Sequence, residues 1–131
     1  MAEKRKIAVC VTSIHQKAVH RMMSELGSEA AKRGYQLQFF APFSDLYYQT
    51  ENDLAQRQIF DLIPYDDLQA LILFAETILD ESLLEQLVSR AEEKNIPVSS
   101  LKKELPGCYN FRYDAESSLA DILRHLIEVH H

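Results

Sequence analysis

The 131-residue sequence is of single-domain length, and 47% apolar with 26% charged residues fills a core and excludes a disordered chain. A formal net charge of -6 and a pI near 5.3 argue against direct nucleic-acid binding, which needs clustered Lys and Arg. The one basic cluster, Lys4-Arg5-Lys6, reads as a solvated terminus. No apolar run approaches the roughly 18 residues of a membrane span, and no secretory leader is legible, so a cytoplasmic location away from any membrane is expected.

Residues 7–11 form a continuous apolar run, as expected of a strand covered on both faces. Over 16–33 the positions Val19, Met22, Met23, Leu26, Ala30 and Ala31 recur at three and four residues and predict a helix, stopped by Gly34. A second strand is expected over 35–41, ended by Pro42, and a helix over 52–63, ended by Pro64. Residues 70–75 read as a third strand. Asp80 can cap a helix running to Lys94, with Leu83, Leu84, Leu87, Val88 and Ala91 on one face. A short fourth strand follows to Leu101, then a turn at Leu105-Pro106-Gly107 and a brief strand over 109–113. Asp114 then caps a last helix. Cys10 reads as a buried hydrophobe and Cys108 as a turn residue, with no metal-ligand spacing and no bridge between them.

Strands alternating with single helices predict an α/β fold: a three-layer α/β/α sandwich on a parallel sheet of order 2-1-3-4-5, with right-handed crossovers. Ligands of such sheets sit outside the carboxyl ends of the strands. Four segments are therefore singled out: 12–16, 42–45, 76–80 and 102–104.

No enzyme motif stands in them. Three glycines in total (Gly27, Gly34, Gly107) cannot build a dinucleotide fingerprint or a P-loop. A phosphoacceptor receiver domain needs acidic residues where this chain has Thr12-Ser13 and Phe74-Ala75. Pairing His15 with Ser13 or Cys10 as a nucleophile dyad asks adjacent loop residues to align. A flavodoxin-like cofactor protein remains open as an alternative, with Thr12 and Ser13 donating to a phosphate at the next helix. The simpler reading of that segment is a polar strand end. No catalysis and no cofactor are expected.

The run Lys6-Ile7-Ala8-Val9-Cys10-Val11, with Glu29-Ala30-Ala31-Lys32-Arg33-Gly34-Tyr35 after its helix, resembles the first βαβ unit of lactose-repressor-type ligand-binding domains. Ala70-Leu71-Ile72-Leu73-Phe74, Lys94-Asn95-Ile96-Pro97-Val98, Glu104-Leu105-Pro106-Gly107 and Asp114-Ala115-Glu116 continue the resemblance in order. Such a domain has the periplasmic-binding-protein fold, so residues 1–131 would be its N-terminal lobe, with the second lobe absent. The stretch from Gln58 to Asp66 looks most like sensors placed before GGDEF diguanylate cyclase domains. Met1 five residues before the first strand leaves no room for a helix-turn-helix, which also favours a signalling sensor over a repressor. The effector-binding lobe of a transcription regulator is the alternative.

The resemblance implies a small-molecule ligand shared with a second lobe, and a homodimer formed through the first helix and its neighbouring strands. Tyr47, Tyr48, His20 and Met23 are surface candidates for that dimer. Repressors of the family carry an aspartate after the first strand, an Asn-Pro-aromatic helix start and an aspartate after the fourth strand. Here those places hold Ser13, Gln16-Lys17-Ala18 and Lys102, which speaks against a sugar. The candidate ligand-binding residues are Ser13, His15, Gln16, Phe43, Glu76, Lys102 and Asp114.

Overall fold

A computed structural model describes residues 5–44, 46–111 and 123–124. Strand β1 (Lys6–Cys10) leads through helix α1 (Lys17–Lys32) to β2 (Gln36–Phe40). Helix α2 (Glu51–Arg57) and two 3-10 turns (Gln58–Leu62 and Tyr65–Asp67) precede β3 (Leu68–Leu73). Helix α3 (Glu81–Glu93), β4 (Val98–Leu101) and β5 (Tyr109–Phe111) complete the described elements. All strand pairs are parallel, and the order is β2-β1-β3-β4-β5, as the alternation predicts.

The sheet divides two apolar layers. Ile7, Val9 and Val11 turn toward Val19, Met22, Leu26 and Ala30 of α1, while Ala8 and Cys10 turn toward Phe60, Ile63 and the Leu83, Leu84 and Leu87 face of α3. Strand β1 is sealed on both sides, which accounts for its unbroken apolar run. Burial pushes the Cys10 thiol well above its ordinary pKa, so it behaves as core. Burial and the nearby Glu92 push the half-buried Cys108 up to about 11; both cysteines are free.

Helices α1 and α3 end alike. Past α1, Gly34 adopts φ 75 while its N–H donates to the Ala31 carbonyl and the Tyr35 N–H to Ala30. Past α3, Asn95 adopts φ 58 while its N–H donates to Glu92 and the Ile96 N–H to Ala91. Both are Schellman closures, with buried Tyr35 and Ile96 as the following apolar residues.

The helix expected over 52–63 is shorter than its sequence pattern. It is α-helical only to Arg57 and then tightens into the 3-10 turn. Ile63 must be extended before Pro64 and takes ψ 120, and the tighter turn delivers Phe60 and Ile63 together to the core. Strand β3 starts at Leu68, earlier than expected, and its ladder stops at Leu73, although Phe74 and Ala75 stay buried. The helix expected from Asp114 lies outside the described residues except for Leu123 and Arg124; these are helical, and Leu123 is buried in the α1-side layer.

Candidate functional site

Because every strand runs the same way, the loops after β1, β3 and β4 emerge at one end of the sheet. There they enclose a cleft of about 230 Å³ on the α1 side. Ser13 and Gln16 line it from the first loop, Glu76 and Thr77 from the second, and Lys102 from the third. Val19, Met22, Phe74, Leu79 and Leu101 form its apolar wall.

Thr12 and Thr77 tie the first two loops together. The Thr12 N–H donates to Thr77 Oγ1 at 3.0 Å, the Thr12 hydroxyl donates to the Thr77 carbonyl, and the Thr77 hydroxyl donates to the Phe74 carbonyl at 2.8 Å. Thr12 is fully buried, so neither of its donors can turn to a phosphate as a flavodoxin-like site would need. Thr77 lies within the segment singled out from sequence, but nothing there marks it as the partner of a residue so distant in the chain.

Two lining residues sit in the left-handed region, Ser13 at φ 57 and Lys102 at φ 65. Such backbone is unfavourable for residues other than glycine, and it persists where surrounding contacts hold it. The Ser13 carbonyl accepts from the Gln16 N–H at 3.0 Å, and the Lys102 N–H donates to the Phe111 carbonyl at 2.9 Å. Each turn so held brings its side chain to the cleft. Across the mouth, Lys102 Nζ and Glu76 Oε2 stand 3.9 Å apart, with both side chains substantially exposed.

Four of the seven candidate residues thus meet in one place: Ser13, Gln16, Glu76 and Lys102. His15 is exposed in the same first loop and Phe43 protrudes from the loop after β2, and neither lines the cleft. Asp114 lies outside the described residues. The loop after β2 is fastened from within: Ser44 Oγ donates to buried Asp53 at 2.5 Å and accepts from the Leu46 N–H at 2.9 Å, while Leu46 itself is buried at φ 70. This leaves Tyr47 and Tyr48 outside, 60% and 80% exposed and packed edge to face on one another. Among the described residues, no group of three His, Cys, Asp or Glu is placed to hold a metal ion, and no helix is long and apolar enough to cross a membrane.

No family model and no curated protein matches the sequence. Among solved structures, the chain is similar to the crystal structure of a candidate transcriptional regulator from Yersinia pestis biovar Microtus str. 91001, at 24% identity and a TM-score of 0.56 over 86% of this chain. The fold is that of a periplasmic-binding-protein-like lobe. The lobe spans only 38% of the length of that regulator chain, and the likeness is one of fold. Its cleft stands at the carboxyl edge of the parallel sheet, where this class of fold binds ligands.

Proposed function

We propose that this chain is the effector-binding lobe of a transcription regulator, taking a small molecule in the cleft between Ser13, Glu76 and Lys102 and catalysing nothing itself. The observation that carries the reading is the convergence of three strand-end loops on one polar-mouthed, apolar-walled cleft, in a fold shared with a protein described as a regulator. A lobe of this kind supplies one wall of the site and a second lobe supplies the other. The exposed Tyr47-Tyr48 pair is the surface assigned to self-association, since aromatic residues are enriched at such contacts.

A thermal-shift screen against small metabolites tests the ligand role. Stabilising compounds should lose their effect in Ala18→Trp, which fills the cleft from exposed Ala18. Stabilisation that survives the filled cleft would move the site elsewhere. The output is tested by reading the coding frame on either side of the sequence. A DNA-binding region there supports the regulator, whereas a GGDEF-containing region would assign the same lobe to a cyclase, the output that the Gln58-to-Asp66 stretch resembles.

A further inference from the structure

We propose that the trough between α3 and the turn after β4 docks a basic peptide segment of a partner protein, one carrying aliphatic side chains among its Lys and Arg. The trough lies on the α3 side of the sheet, opposite the ligand cleft, so the proposal does not rest on that site. Its floor is made by the outer edges of Leu84, Val88 and Leu105, core residues that surface there beside exposed Pro106. Both ends are closed by contacts between the two banks. At one end Lys103 donates to Glu81 across the trough. At the other the Glu92 side chain lies on Gly107, where a Cβ would stand 2.5 Å from Glu92 Oε1.

Charge is sorted around α3. Arg90 and Lys94 lie on its other flank, where they pair with Asp61 at 3.5 Å and with Asp66 at 3.0 Å. On the trough flank stand Glu85 and Glu92, with Glu104 on the facing bank. Among the described residues no cation pairs with these three carboxylates, and Lys103 is taken by Glu81. Such a surface repels nucleic acid and anionic lipid and receives Lys or Arg. A second copy, itself at a formal net charge of -6, is repelled likewise. Glu85 and Glu92 stand about 10 Å apart along the helix axis, so a single ammonium cannot meet both. A peptide can, and its aliphatic side chains cover the apolar floor between the two contacts.

The test is an NMR titration of the ¹⁵N-labelled chain, followed at the amides of Glu85, Val88, Glu92 and Glu104. The probes are the acetylated, amidated decapeptides KLLKKLLKKL, KSSKKSSKKS and ELLEELLEEL, with spermidine as a free polyamine. The leucine-lysine peptide should give saturable shifts at these amides. The serine-lysine peptide and spermidine should bind at least about tenfold more weakly, for want of aliphatic cover on the floor, and the acidic peptide not at all. Glu85→Gln with Glu104→Gln should weaken the leucine-lysine peptide about tenfold, since two exposed charge contacts are lost. Glu51→Gln with Asp67→Asn removes the same charge from outside the trough and should change affinity less than about twofold. Ser89→Trp, at an exposed position on the bank, should block the peptide and leave the melting temperature within about two degrees. No saturable shift at the four amides with the leucine-lysine peptide overturns the proposal. Equal binding by the serine-lysine peptide or spermidine, or an equal loss in the control double variant, reduces the site to net charge and also overturns it. Shifts at the same amides on diluting the chain alone would give the trough to a second copy, with the same result.

Discussion

Arg57 Nη1 lies 3.1 Å from Oδ2 of the buried Asp80, joining the end of α2 to the start of α3. Among the described residues no hydrogen bond aligns on that oxygen, so the contact is one of charge with charge. The other oxygen, Oδ1, accepts from the Leu83 N–H at 3.1 Å and from Ser82 Oγ at 2.9 Å, capping α3. Asp80→Ala removes cap and counter-ion together and should cost about 2–4 kcal/mol. Arg57→Ala keeps the cap and should cost less. Urea denaturation of the two variants checks that order.

Acid should act through the same carboxylate. Desolvation pushes the Asp80 pKa up, but hydrogen bonds from Ser82 and the Leu83 N–H, with the neighbouring Gln49 amide and the Arg57 charge, outweigh it and hold the carboxyl below its ordinary range. A depressed folded-state pKa stabilises the protein above the unfolded value of about 3.9, and that stability is lost as pH falls from there through the folded value. The wild type should therefore lose stability steeply below about pH 4. Asp80→Asn should start lower and show a shallower slope in the same urea titrations across pH.

The threonine tie should couple stability to ligand binding. Thr77→Val leaves the buried Thr12 N–H without its acceptor and should cost about 1–3 kcal/mol. It also frees the Glu76 turn, so any cleft ligand should bind more weakly than the stability loss alone accounts for. Calorimetric titration well below the melting temperature separates the two effects.

The two Schellman closures invite opposite substitutions. Gly34→Ala puts a side chain at φ 75 and should destabilise by about 1 kcal/mol. Asn95→Gly relaxes the same strain at φ 58 and should stabilise by up to about 1 kcal/mol. Paired thermal melts decide both, and a shift of the same sign in each would contradict the common geometry.

Self-association is read by sedimentation equilibrium. At about 100 μM, well above a micromolar dissociation constant, the chain should be dimeric and Tyr48→Asp monomeric. Tyr48 is the better probe, because Met23 packs partly against the α1-side core and its replacement would also disturb folding. A wild-type monomer at that concentration would remove the tyrosine pair from the account.

The layers and strand order were legible because the burial signals are local. An apolar run such as Ile7 to Val11 is the pattern of a covered strand, and the Val19, Met22, Leu26 and Ala30 spacing is that of one helix face. Glu76 and Lys102 were reachable by a positional rule, since Lys102 directly follows β4 and Glu76 comes three residues after β3 ends at Leu73 in a parallel sheet. What escaped depends on contacts between distant segments. Nothing near Thr12 announces Thr77, and the tightening after Arg57 follows from where the core needs Phe60. The backbone at Lys102 turns left-handed against the Phe111 carbonyl, although Lys has no special tolerance for it.

The strand order also sets how the chain must be made. Within this sheet β1 is synthesised before the other strands, yet it pairs with both β2 and β3, and Ile7 lies opposite Ala70 in the register. Its most apolar face therefore waits while the intervening helices emerge, and closing that separation carries an entropic cost before any pairing rewards it. During that interval the unpaired Ile7-to-Val11 segment is the sticky part of the nascent chain, exposed to aggregation or to capture by a chaperone. Slow decoding upstream of β3 should prolong the hazard, and a charged residue within β1 would remove it only by abolishing the core.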